Sequence, residues 1–252
     1  MRYDDFADTL DKDLGWRKKE ISDLFFIIQQ NNSEVLFKSM ILLLYAHWEG
    51  FIKRSSKLYL KYISDKNILV DSLSMNFKAI LMKHHVRSCI SQHRSSTIDT
   101  ELSFIEVYRN KNKKFRVKVD LENNIANSLI DTEHNLKGKI FQRILKTLGL
   151  EYKPVYQTKK QIIDRHLLAN RNCIGHGDSF DDSEENFSLS LRDIDKLKSV
   201  ILKLIDSFRD DLLEYSFKEY YLKSNNDERL AYEKARESQL GKEFSAIDQR
   251  FL

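Results

Sequence analysis

Proline occurs once in the 252 residues, glycine seven times and cysteine twice. So few chain-reversing residues argue against a turn-rich sandwich and favour long helices. The two cysteines, Cys89 and Cys173, are too few for a disulfide framework and fit a reducing compartment, so a cytoplasmic location is expected. Charge of one sign is also missing. With 42 Lys plus Arg against 38 Asp plus Glu, the formal charge is +4, and any nucleic-acid binding must come from local patches. The longest apolar run, Met40–Ala46, spans seven residues, against roughly 20 for a bilayer crossing. The first twenty residues lack the continuous apolar stretch of a secretory signal, so a soluble chain with no membrane partner is expected.

What is present is helical periodicity, with 41% hydrophobic residues, enough for one sizeable core. Phe6, Leu10, Leu14, Ile21, Phe25 and Ile28 predict a first amphipathic helix that stops at Gln29-Gln30-Asn31-Asn32. Ser33 is placed to cap a long second helix with Ile41, Leu44, Tyr45, Trp48, Phe51, Ile52, Tyr59 and Tyr62 on its apolar face. A third helix is expected over 71–93. Phe115, Val117, Val119 and Leu121 then alternate with polar residues. That two-residue period predicts a small β-hairpin around 104–121, with Ile105–Tyr108 as the other strand. Helical spacing returns over Gly138–Leu148, ended by Gly149, and again from about Thr158. The acidic stretch 181–185 reads as a solvated loop, after which Ser190 and Asp193 form a capping-box signature for a strong helix through Tyr215. The expected architecture is an all-α bundle of long amphipathic helices over 1–215, with 216–252 as a C-terminal helical extension, an arm on a partner protomer, or a frayed tail.

The chemistry concentrates in Arg171-Asn172-Cys173-Ile174-Gly175-His176, at the end of the predicted helix from Thr158. On a continuous helix, five positions leave Arg171 and His176 roughly 140° apart, so they converge only if the helix ends between them. Gly175 and Gly177 are read as that termination. An arginine can then meet a phosphate while a histidine near neutrality moves a proton. This suits RNA cleavage, where the 2′-hydroxyl is the internal nucleophile and no metal or other cofactor is needed. Two histidines serve better than one, and a two-fold homodimer would supply them. With 15 arginines and seven histidines in the chain, about one such spacing arises by chance. Arg87 and His93 form such a decoy, and Asn172 sets the 171–176 site apart.

Three blocks together resemble one family. Arg171-Asn172 through His176-Gly177 resembles the RN-x3-H-G signature of the HEPN superfamily. Leu42–Lys53, with Tyr45, His47, Trp48 and Glu49, and Asn135–Leu150 resemble its RiboL-PSP-like clade of prokaryotic conflict systems. The resemblance implies an all-α HEPN-type bundle, a homodimer joined through the motif region, and a metal-independent endoribonuclease that leaves a cyclic phosphate. Arg171, Asn172 and His176 map onto the family's active residues. Such an enzyme would be a toxin or effector restrained by an antitoxin or sensor protein; the alternative is a non-catalytic module for dimerisation or nucleotide binding.

Other residues carry weaker expectations. Trp48 reads as core, His47 as lateral or exposed, and Glu49 as either a surface acid or a group orienting His176 or Arg171. His85, Cys89 and His93 follow at i, i+4 steps, but three ligands on one straight helix spread over roughly 12 Å, too far for one zinc. Arg109, Lys111, Lys113, Lys114, Arg116 and Lys118, interleaved with Tyr108 and Phe115, form the densest basic run, read as a solvated hairpin tip or a grip on RNA phosphates.

Overall fold

The computed structural model describes residues 1–91, 97–121, 129–177 and 189–252, and of His84 the backbone alone. Its frame is three long helices. Helix α1 (Tyr3–Gln30) and helix α2 (Glu34–Asp65) run antiparallel, with Phe6 stacked on Tyr62 and the amino terminus 3.3 Å from Asp65. Helix α8 (Leu191–Phe217) lies against both, pairing Arg209 with Asp11 and Lys18 with Asp206. Ser190 caps α8 by accepting from the Asp193 backbone at 3.2 Å, as its sequence signature predicts, whereas the Ser33 side chain makes no such bond to α2. The apolar face of α2 is the centre of the core. Trp48, Phe51, Tyr59 and Tyr62 are all buried, and Trp48 packs on Phe141 with centroids 5.0 Å apart. Helix α2 is long and apolar enough to cross a membrane by composition, but half of its most apolar window is buried inside the bundle.

Between these helices the chain forms α3 (Met75–Ser91) and α4 (Asp99–Arg109), packed as a pair, and α5 (Gly138–Leu148). The expected hairpin at 104–121 does not form. Ile105–Tyr108 lies in α4, whose first turn carries Asp99 and Glu101 and whose Phe104 and Tyr108 stack one turn apart. The alternation in Phe115–Leu121 does mark an extended segment, but its partners are different. The Phe115 amide donates to Ile68 O at 2.8 Å and the Val117 amide to Ser64 Oγ at 3.0 Å, so it straps the end of α2. Phe115 is fully buried there. Among the described residues there is no strand, only the isolated bridges Leu69 with Lys114 and Leu73 with Leu222. The third helix begins at Met75 rather than 71, after a short 3₁₀ turn at Val70–Ser72.

The chain then enters α6 (Pro154–Thr158), a π-helical stretch (Ile162–Ala169) and α7 (Asn170–His176). Helix α7 runs without a break past Arg171 and stops after His176. The expected termination between them is therefore corrected: Gly175 stays helical, and only Gly177, at φ 78°, takes the left-handed conformation that ends a helix. The C-terminal segment forms α9 (Asn226–Arg250), which folds back on α8 and α6 of its own chain. Its anchor is a buried charge cluster. Lys153 lies 2.7 Å from Asp211 and 2.8 Å from Glu233, Arg236 reaches Asp211 at 3.3 Å, and Tyr232 donates to Asp211 at 2.7 Å.

Candidate active site

Arg171 lies on the side of α7 that faces α2. Its guanidinium carbon is 4.5 Å from the centroid of the Tyr45 ring, and its Nη1 donates to Asn172 Oδ1 at 2.7 Å. A cation over an aromatic face, fixed by a neighbouring amide, loses much of its rotational freedom before any phosphate arrives. Asn172 thus holds the arginine.

Tyr45 is buried beneath that guanidinium. Its hydroxyl accepts from the Leu136 amide and donates to His134 O, both at 3.2 Å. Burial, with the negative charge of Glu49, pushes its pKa up to about 12, against the opposing pull of the Leu136 amide and Arg171. Tyr45 is therefore a neutral platform at physiological pH, not a general base. Glu49, one turn on, accepts from Thr132 Oγ1 at 2.5 Å and forms no ion pair with Arg171 among the described residues. It secures the loop over 131–136, and its side chain also acts on the Tyr45 hydroxyl beneath Arg171.

His176 is exposed at the last turn of α7, with no hydrogen bond or ion pair among the described residues. Because α7 is continuous, Arg171 and His176 of one protomer point roughly 140° apart around its axis. They are neighbours along the helix but do not converge.

His47, expected to be lateral or exposed, is 3% exposed. It sits between α1 and α2, with Nδ1 3.4 Å from Arg17 Nη1 and Nε2 3.2 Å from Glu20. Arg17 also fills the space over Gly50, where a Cβ would lie 2.8 Å from its Nη1. This cluster faces α1, away from Arg171.

The basic run lies elsewhere. Arg116 donates to Asn67 Oδ1 at 2.7 Å, and Lys114 bridges to Leu69, at the far end of α2 from Tyr45. With 1.5 Å of rise per residue, that is about 30 Å along α2. Arg109, Lys111, Lys113, Lys114 and Arg116 do not join Arg171 in one protomer's site. Of the residues read against zinc, Cys89 donates to Thr100 O at 3.5 Å, while His93 lies outside the described residues, as does the acidic stretch 181–185. The described residues contain no cluster of three His, Cys, Asp or Glu side chains disposed to hold a metal. The resemblance block from Asn135 touches the end of the loop over 131–136, but its irregular backbone leaves no periodic signal, so its contacts with Tyr45, Trp48 and Glu49 could not be read from sequence.

A family model described as MAE_28990-like HEPN matches residues 6–221, and the chain belongs to the HEPN superfamily. The matched clade carries a different name from the RiboL-PSP-like one that the sequence blocks resemble; the superfamily is the same. HEPN domains serve as ribonucleases or as nucleotide-binding modules. No curated protein and no solved structure gives a significant match.

Proposed function

We propose that this chain is a metal-independent HEPN endoribonuclease that cleaves RNA by attack of the 2′-hydroxyl, with Arg171, Asn172 and His176 as its active residues. The observation that carries this reading is Arg171, held between the Tyr45 ring and Asn172 in the first turn of the same short helix whose exposed last turn carries His176. A guanidinium so placed stabilises the negative charge that builds on a phosphorane.

In this reading a two-fold homodimer through α7 completes the site, because Arg171 and His176 diverge within one protomer. The basic run around the exposed Lys114 and Arg116 would then meet RNA phosphates outside the cleavage site. A cytoplasmic toxin or effector of a prokaryotic defence or toxin–antitoxin system, restrained by an antitoxin or sensor protein, is the role this activity fits.

A second reading, a non-catalytic dimerisation or nucleotide-binding module, is favoured by one feature: Arg171 is bonded within its own protomer rather than to His176. One assay separates the two. Purified protein with single-stranded and structured RNA in EDTA should cleave, and His176→Ala and Arg171→Ala should each lose at least 100-fold. Cleavage unaffected by His176→Ala would sink the catalytic assignment, and a monomer with full activity would sink the composite site.

A further inference from the structure

The loop over 131–136 is bound on every side. Thr132, fully buried, donates to Glu49, and Asp131 Oδ1 accepts from the Glu133 amide at 2.8 Å. Glu133 pairs with Arg143 at 2.6 Å, and Trp48 Nε1 donates to Leu136 O at 3.4 Å. Tyr45 bonds both the His134 carbonyl and the Leu136 amide. These contacts hold two consecutive non-glycine residues, Glu133 at φ 53° and His134 at φ 55°, in the left-handed region, which side chains bearing a Cβ occupy at a cost.

The fold uses Glu133, whose carboxylate takes Arg143. It does not use the His134 ring, which is exposed and makes no hydrogen bond or ion pair among the described residues. Beside it, the buried Oδ1 of Asn135 also has no hydrogen-bond partner. A loop this strained and this firmly bolted presents an idle imidazole. The bolt is Tyr45, whose hydroxyl grips the His134 backbone and whose ring carries Arg171. One buried side chain thus bonds the backbone of a histidine and carries the guanidinium of an arginine from two different segments.

We propose that His134 is a second catalytic imidazole of the RNA-cleaving site, contributed by the same protomer as Arg171. This rests on the ribonuclease reading above. In the reaction the 2′-oxygen bonds to phosphorus and the P–O5′ bond breaks, giving a 2′,3′-cyclic phosphate and a 5′-hydroxyl. The 2′-hydroxyl proton passes to one imidazole and the other protonates O5′, so the two histidines together leave the proton count balanced. His134 carries one of these transfers and His176 the other, with Arg171 on the phosphorane.

The test uses the full chain with His134→Gly and His134→Asn, both residues suited to a positive φ, so the loop keeps its shape. With RNA in EDTA, each variant should lose about 100-fold or more in kcat with little change in KM. Its pH–rate profile should lose one limb, the acidic limb if His134 is the base or the alkaline limb if it is the acid. Added imidazole should restore part of the His134→Gly rate. Wild-type rates in both variants, while Arg171→Ala is inactive, would overturn the role of His134 and leave the ribonuclease reading standing. A slower enzyme with both limbs intact and no response to imidazole would also overturn it. A folded wild-type protein that cleaves no RNA would overturn both.

Discussion

Tyr45 shows how much one side chain can carry. Its hydroxyl satisfies a buried amide and a carbonyl, while its ring supports the Arg171 cation. Tyr45→Phe keeps the ring and removes both bonds, leaving the Leu136 amide without a partner. We expect a loss of about 1–3 kcal/mol. Thermal unfolding should show a drop of several degrees, and an unchanged midpoint would mean the two bonds contribute nothing net. His47 offers a pH-dependent counterpart. Burial, with the positive charge of Arg17, holds its pKa below the ordinary histidine value, against the opposing pull of Glu20 and Asp13. The folded state therefore binds the proton less readily than the unfolded chain. Stability is full above about pH 6.5 and falls as the pH drops toward the folded-state value. His47→Gln should flatten urea midpoints compared between pH 7.5 and 5.5, and an equally steep variant would remove His47 as the cause. Neither role was legible in the sequence. Tyr45 and Trp48 were readable as a packed stripe from their spacing, but what their polar atoms bond is set by a loop some ninety positions away.

At the scale of elements, sequence and structure agree where period and punctuation coincide. Gly138–Leu148 is legible to the residue, because five apolar positions at helical spacing meet Gly149, which ends the helix at φ 82°. The strand pairing of Phe115–Leu121 was not, since a two-residue period states that a segment is extended but not what lies beside it. The two glycines flanking His176 separate more sharply still. Gly175 is helical and Gly177 left-handed, and a Cβ on either meets nothing within 4 Å. The same substitution should thus act with opposite sign. Gly175→Ala removes backbone entropy from the unfolded chain and should stabilise by about 0.5–1 kcal/mol. Gly177→Ala forces a Cβ into the left-handed region and should cost about 1–2 kcal/mol. Thermal midpoints of the two variants should fall on either side of the wild type, and a loss in both would return the helix end to the position between Arg171 and His176.

For the whole molecule, the question is whether α9 is an accessory or part of the core. The family match ends at residue 221, before this helix begins, and its sequence is highly charged. Yet α9 contributes Leu240 and Phe244 to the core, and its Glu233 and Arg236 surround the fully buried Lys153–Asp211 pair. Lys159, in the turn between α6 and the π-helical stretch that leads to Arg171, also pairs with Asp248 of α9 at 2.5 Å. The effects differ in scale. The exposed pair of Arg250 with Asp195 should contribute at most about 1 kcal/mol, whereas removing one partner of a buried pair costs about 3–5 kcal/mol by stranding the other charge. Asp211→Ala leaves Lys153 with Glu233 alone and Arg236 with Asp210. Against a total stability of about 5–15 kcal/mol, that loss should lower the thermal midpoint by roughly 10 °C. Ending the chain at residue 225 goes further, removing Glu233 and both core side chains together. Circular dichroism and thermal melts of the truncated chain should show no cooperative transition. A truncated chain that melts like the wild type would make α9 an independent arm, and the α6-to-α7 segment carrying Arg171 would then owe nothing to it.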